Sequence, residues 1–142
     1  MSKEKVTFSV LAVAFVLAWS SVLADDLTGA DKLLCTSVQA TRCFAEGDCE
    51  IGPPWNWNIP QFIEVDLGQK LLRTTKASGE NRVTPIKNLE RDSGKIFLQG
   101  IEGGRAFSLV IDEATGFLSA AVATDGVATA VFGACTPQTG SK

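Results

Sequence analysis

Paired carboxylates are the residues of this chain whose spacing could support catalysis. Glu64 lies two residues before Asp66, and Asp112 is directly followed by Glu113; two carboxylates that flank one bond can hydrolyse glycosides. The chain contains no histidine, which removes the usual general base near neutral pH and the histidine-activated nucleophiles. Strand alternation places Glu64 and Asp66 on a polar strand face, and Asp112 and Glu113 open a hairpin turn. We therefore predict no catalytic residues and a protein that is not an enzyme.

Residues 52–60, Gly-Pro-Pro-Trp-Asn-Trp-Asn-Ile-Pro, form a candidate ligand-binding segment. Its prolines stiffen the backbone, and Trp55, Asn56, Trp57 and Asn58 could stack on and hydrogen-bond a sugar, a peptide or another flat ligand. The alternative is structural, because residues two apart in an extended segment share one side and both tryptophans could cover the core. We expect core cover from at least one tryptophan, and we keep all four residues as candidate ligand contacts.

Four cysteines, Cys35, Cys43, Cys49 and Cys135, form an even set that suits two disulfides in an oxidising compartment. Four cysteines allow three pairings. We favour Cys43 with Cys49, which a short turn-like stretch can bring together, and this leaves Cys35 with Cys135 at the two ends of the domain. A four-cysteine zinc site is the alternative, but the chain lacks paired C-x-x-C spacing. We predict no metal and no cofactor.

Residues 1–24 have the three parts of a secretory signal peptide. A short charged stretch precedes a mainly apolar run at 6–19, and small residues lead to a cleavage site after Ala24. The run is shorter than the roughly 20 residues that span a bilayer, so we favour cleavage over an uncleaved anchor and expect no membrane span afterwards. The expectation is a single β domain at 25–142, periplasmic or secreted.

Clusters of turn-forming residues divide the remaining chain into short runs rich in β-branched and aromatic residues. Alternation is clearest around Phe107, Leu109 and Ile111, and around Ile63 and Val65, so these side chains should face the core. We predict strands at 33–44, 61–66, 70–75, 82–91, 95–101, 105–111, 117–123 and 127–135.

Short connections make sequence neighbours into spatial neighbours, which predicts an all-β fold in the form of an eight-stranded antiparallel meander. A small up-and-down barrel is the preferred architecture, because closure removes the open edges, and a two-sheet β-sandwich is the alternative. In such a barrel the start of the first strand lies beside the end of the last. Cys35 and Cys135 occupy those two places, so the predicted disulfide and the predicted closure support each other.

Charge and side-chain size restrict the partners and the interior. The net charge is −3, and removal of Lys3, Glu4 and Lys5 with the signal peptide takes it to −4. Basic residues, Arg82 and Arg105 among them, are scattered between acids, so we predict a solvated surface and no nucleic-acid partner. The last two strands are rich in small side chains from Ala120 to Ala134. If these point inward, they permit either close packing or a cavity, and we expect close packing.

Several short motifs carry a family resemblance: Leu34-Cys35, Thr84-Pro85-Ile86, Leu98-Gln99-Gly100, Thr115-Gly116 and the closing Val-Phe-Gly-Ala-Cys-Thr-Pro at 131–137. With these motifs the chain resembles a group of small exported bacterial proteins of uncharacterised function, a resemblance that implies no substrate and no active site. A looser fold-level likeness is to periplasmic lysozyme inhibitors, whose inhibitory loop has no counterpart here.

These observations predict a non-enzymatic exported binding module of the bacterial envelope. Its partner would be a small molecule, a glycan or an envelope protein. The alternative is an inhibitor or regulator of another exported protein, in which a hairpin loop such as Asp112 to Gly116 enters the partner's cleft. A carboxylate-dependent hydrolase is the third hypothesis.

Overall fold

The computed structural model describes residues 26–139, and the predicted signal peptide lies outside this range. Within it the chain forms ten strands and two short 3₁₀ helices, at Pro54–Trp57 and Lys76–Ser78. The strands are β1 (Lys32–Phe44), β2 (Cys49–Gly52), β3 (Phe62–Asp66), β4 (Leu71–Thr74), β5 (Val83–Pro85), β6 (Asn88–Asp92), β7 (Lys95–Glu102), β8 (Arg105–Asp112), β9 (Phe117–Thr124) and β10 (Val127–Pro137). In this part of the chain no helix is long and apolar enough to cross a membrane.

All of these strands belong to one curled, barrel-like antiparallel sheet. The order along the sheet is β5-β4-β3-β1-β10-β9-β8-β7-β6. β2 pairs with the C-terminal part of β1, beyond the residues that pair with β3. The first long strand therefore pairs with the last one, as the sequence predicts for a barrel. The all-β antiparallel fold is confirmed, and its eight predicted strands all have counterparts.

The predicted strand at 82–91 is interrupted, and this is where the sheet has its two ends. Its first part is β5, which pairs with β4, and its second part is β6, which pairs with β7. Between them the Ile86 N–H donates to the Lys70 carbonyl at 2.9 Å and the Lys87 N–H donates to the Gln99 carbonyl at 2.8 Å. The chain thus changes partner within two residues, directly after Pro85, which has no N–H to continue a ladder.

Two disulfides are present, and both have the predicted pairing. Cys35 and Cys135 lie directly opposite each other on β1 and β10, with 4.0 Å between their Cα atoms. Cys43 and Cys49 lie opposite each other on β1 and β2, 4.1 Å apart. The second bridge closes a β1–β2 hairpin. We predicted only a loop at this place, so β2 is a strand that the sequence analysis did not predict.

The core consists of a main cluster and a smaller one. Leu27, Leu33, Ile96, Leu98 and Ile111 are fully buried in the main cluster, where the Leu27 N–H donates to the Glu113 carbonyl at 2.7 Å. The expected inward positions on β3 and β8 are confirmed, since Ile63, Val65, Phe107, Leu109 and Ile111 belong to this cluster or pack against it. The smaller cluster is formed by Ala40, Ile59 and Val131.

The small residues of β9 and β10 mostly point outward, so most of them have no bearing on how the core is packed. Ala121 pairs with Ala130 and Ala123 pairs with Ala128, and all four are exposed. We call these four residues the outer alanine face. Ala120 is the exception, because strand alternation turns it inward, where it packs against both core clusters.

Candidate functional site

The tryptophan segment is a 3₁₀ turn rather than an extended chain. Pro53 and Pro54 precede and open the helix, and Asn58 ends it in the left-handed conformation, with a φ of 58°. Pro54 suits the first turn because a proline has no N–H and a helix needs none there. The Asn56 N–H donates to the Pro53 carbonyl at 3.1 Å, and the Ile59 N–H donates to the Pro54 carbonyl at 3.2 Å. The segment is therefore a compact, internally bonded loop.

The two tryptophans point in different directions, which corrects the shared side expected for an extended segment. A 3₁₀ helix has about three residues per turn, so side chains two positions apart diverge. Trp57 packs against the smaller core cluster, and its ring lies close to Gly52. Trp55 is 52 % exposed. Core cover by one tryptophan is thus observed, and the other presents its ring to the solvent.

Hydrogen bonds fasten this loop to the barrel. The Ser37 hydroxyl, which is buried on β1, donates to the Pro60 carbonyl at 2.8 Å, and the Ser37 N–H donates to the Gln61 carbonyl at 2.8 Å. On the other side, the Phe62 N–H donates to the Ser78 hydroxyl at 3.0 Å. The C-terminal end of the loop is consequently held by β1 and by the second 3₁₀ helix.

A cluster of two arginines and a glutamate lies beside the loop. Arg82 precedes β5, while Glu102 ends β7 and Arg105 begins β8. The Arg82 Nη1 donates to Glu102 Oε1 at 2.9 Å, and the Arg105 Nη2 donates to Glu102 Oε2 at 2.7 Å. Both guanidinium groups also donate to the Asn58 carbonyl, and Arg82 forms a close ion pair with Glu80.

Electrostatics keep this cluster charged. Burial of the Glu102 carboxyl acts to raise its pKa, but the hydrogen bonds and charges of Arg82 and Arg105 outweigh burial, and the pKa lies below its ordinary value. The side chains of the three residues are each about one-quarter exposed or less. The sequence reading placed both arginines on a merely solvated surface, and the structure instead brings them together around one carboxylate.

A partly open apolar cavity of about 90 Å³ lies within the curled sheet next to this cluster. Its apolar wall includes Ile63, Leu72, Phe107, Leu109, Leu118 and Val131. Leu109 and Leu118 belong to the main core cluster and Val131 to the smaller one, so the cavity lies between them. Ala120 also lines it, and the partly exposed Arg82, Glu102 and Arg105 stand at its polar end. The expected close packing of the interior is therefore incomplete.

A second, more polar space lies under the tryptophan loop. This cleft of about 260 Å³ is lined by Trp55, Asn58, Gln61, Ser78, Glu80 and Arg82, among others. It shares Ile59, Pro60 and Arg82 with the apolar cavity. Of the four candidate ligand contacts from the sequence, Trp55 and Asn58 line this cleft. Asn56 is exposed beside Gly52, and Trp57 belongs to the core.

The carboxylate pairs have structural partners. Asp66 is only 5 % exposed, which corrects its placement on a polar strand face, and its Oδ1 accepts a hydrogen bond from the Gln69 N–H at 2.8 Å. That bond lowers the pKa of Asp66. Hydrogen bonds from Thr115 likewise lower the pKa of Asp112. A catalytic general acid near neutral pH needs a raised pKa, so these environments suit ionised structural groups.

The Asp112–Gly116 hairpin is held against the body of the domain. The carboxylate of Glu113 pairs with Arg91 Nε at 3.1 Å, and its backbone carbonyl accepts the bond from Leu27. The Asp112 Oδ1 accepts from the Ala114 N–H at 3.1 Å. Glu113 therefore turns back toward the sheet and does not project from the hairpin.

Residues 26–139 contain no group of three or more Cys, Asp or Glu side chains that is placed to hold a metal ion.

Comparisons with protein-family models, with curated proteins and with solved structures gave no match. The resemblance to small exported bacterial proteins and the likeness to lysozyme inhibitors therefore stay predictions from sequence.

Proposed function

We propose that the protein is a non-enzymatic binding module of the periplasm or the cell exterior, and that it holds a small ligand in the cleft under Trp55. The observation that carries the proposal is an exposed tryptophan ring over a cleft whose polar residues are already fixed in place. Binding sites are commonly concave and preformed, with a few convergent polar groups. Both disulfides are in keeping with an oxidising compartment.

Preorganisation supports this proposal. The Asn58 side-chain oxygen accepts a bond from Arg82 Nη2 at 3.2 Å, and the Trp57 carbonyl accepts one from Arg105 Nη1 at 3.3 Å. The C-terminal part of the loop is thus bound to Arg82 and Arg105 before any ligand arrives. A ligand that enters a fixed site avoids the entropy cost of ordering it.

Thermal denaturation with a ligand panel tests the proposal. The panel contains monosaccharides, oligosaccharides, peptidoglycan fragments and small aromatic compounds, each added to the purified protein. A ligand present at 100 times its Kd should stabilise the fold by about 2.7 kcal/mol and raise the Tm by roughly 10 °C. Trp55→Ala should remove that shift, because it deletes the stacking surface of the cleft.

Phe132→Ala is the matched control, since Phe132 is an aromatic residue of similar exposure, 50 %, outside the cleft. This variant should retain the full Tm shift. The proposal is wrong if no compound in the panel raises the Tm, or if Trp55→Ala and Phe132→Ala respond alike.

A further inference from the structure

The cleft and the apolar cavity are adjacent spaces with shared walls. Ile59, Pro60 and Arg82 line both of them. A ligand in the cleft under Trp55 therefore lies next to the apolar cavity. A molecule with a polar part and an apolar part could use both spaces at once.

The cavity favours hydrocarbon over water. Most of its wall is aliphatic or aromatic, and the hydroxyl of Ser37, one of its polar groups, already donates to the Pro60 carbonyl. A buried water needs two to four polar partners, and several polar groups of the lining are already engaged. The Thr74 hydroxyl donates to the Glu80 carbonyl, and Arg82 and Arg105 both donate to Glu102. An apolar group that fills the space gains the contacts that the wall otherwise lacks.

The cleft favours an uncharged, hydroxyl-rich group. Asn58 and Gln61 line it with neutral amides, and the charges of Glu80 and Arg82 compensate each other in an ion pair. An anionic group would have to compete with Glu102 for the guanidinium of Arg82. The exposed ring of Trp55 supplies the flat apolar surface on which a sugar ring stacks.

We propose that the ligand is an amphiphile, with a sugar-like head in the cleft under Trp55 and a short apolar chain or ring in the cavity beside Ala120. This inference rests on the proposed function and adds the ligand class. A volume of about 90 Å³ holds roughly three groups of the size of a water molecule, at about 30 Å³ each. The apolar part that fits is therefore short.

Isothermal titration with a series of alkyl β-glucosides tests the proposal, using methyl, propyl, butyl, hexyl and octyl chains below their micellar concentrations. Each methylene that becomes buried should tighten binding about fourfold. The gain should continue to a chain of three or four carbons and then level off, because the cavity is full. A plateau of this kind separates the cavity from open apolar surface, on which longer chains keep gaining.

Two neighbouring alanines give a matched pair of variants. Ala120→Phe fills the cavity and should abolish the chain-length gain while methyl glucoside still binds. Ala121→Phe adds the same ring on the outer alanine face and should leave the gain intact. Ala120→Leu is the milder second variant, with an unchanged far-ultraviolet spectrum as the check on folding, and it should reduce the gain without abolishing it.

The outcomes separate this inference from the proposed function. If all glucosides bind equally and binding depends on Trp55, the amphiphile is excluded and the cleft remains the site. If the gain persists undiminished in Ala120→Phe and Ala120→Leu, the chain lies elsewhere and the inference is overturned. The same conclusion follows if no member of the series binds.

Discussion

Removing the Cys35–Cys135 disulfide should lower the free energy of unfolding far more than removing the Cys43–Cys49 disulfide. Both bridges nevertheless join directly opposed cysteines of neighbouring strands. The Cys35–Cys135 bridge spans 100 residues of sequence and the Cys43–Cys49 bridge spans 6. In the chain-entropy model, closing these loops lowers the entropy of the unfolded chain by amounts equivalent to about 4.7 and about 2.2 kcal/mol. Cys35 and Cys135 are also buried in the main core cluster, so their replacement removes apolar contacts as well.

The double variant C35A/C135A should therefore lose about 4 to 5 kcal/mol of unfolding free energy, and C43A/C49A about 2 kcal/mol. Because a domain of this size has only about 5 to 15 kcal/mol in total, the first variant should lose roughly a third of that stability or more. Guanidinium titration followed by tryptophan fluorescence and circular dichroism measures both values against oxidised wild type. Reduced wild type, compared with the reduced variants, isolates the cost of the alanine substitutions. Equal losses, or a larger loss for C43A/C49A, would refute the loop-closure argument.

Two further predictions concern the backbone and the acid limb of stability. Gly133→Ala should lower the free energy of unfolding by about 1 to 3 kcal/mol, because the added Cβ would overlap the Thr36 carbonyl oxygen. Gly68→Ala is the control in thermal melts, since a Cβ at Gly68 has room. Equal losses of stability in the two variants would contradict the reasoning. The pKa of Asp66 is lowered in the fold by the Gln69 N–H, so its contribution to stability is full near neutral pH and is lost as the pH falls through the lowered value. Asp66→Asn should flatten the fall in stability below about pH 4, measured by urea titration across pH, and an unchanged slope would count against this account.

The sequence predicted the sheet well because its information is local. Alternation at Ile63, Val65, Leu109 and Ile111 is read within a few residues, and each turn cluster ends one strand and begins the next. Antiparallel neighbours joined by short turns then follow the chain order. The disulfide between Cys35 and Cys135 adds the one long-range pairing that the local pattern lacks.

The two errors in the strand assignment have tertiary causes. β2 is a strand because its residues pair with β1 across the Cys43–Cys49 hairpin, not because Cys-Glu-Ile-Gly has a strand pattern. The break after Pro85 depends on the close approach to β7, where a Cβ at Gly100 would lie 3.0 Å from the Pro85 carbonyl. Neither the pairing partner nor that approach is visible in the sequence alone.

The candidate site was only partly predictable. The Glu-Gly-Gly-Arg turn at 102–105 is a tight hairpin signal, and it could have placed Glu102 opposite Arg105, as the strand register has it. Arg82 is remote in sequence and joins them only through the curl of the sheet. Trp55 was identified as a candidate from the unusual proline-rich segment around it. That its side chain points away from that of Trp57 follows only from the 3₁₀ turn, which the sequence did not predict.

The interior of the curled sheet is filled unevenly, and the less filled end carries the candidate site. At the end where Leu27 packs, large aliphatic side chains such as Leu33 and Ile96 are fully buried. Toward the other end, Ala120 takes an inward position between two core clusters, and the space left there is overlain by the loop that carries Trp55. An unfilled apolar volume forfeits packing energy, and an alanine at that position sacrifices contacts that a larger side chain would supply. In our proposal the space is kept for ligand binding, and Ala120→Leu tests this directly: if the space has no use, the variant should gain stability and lose nothing in binding.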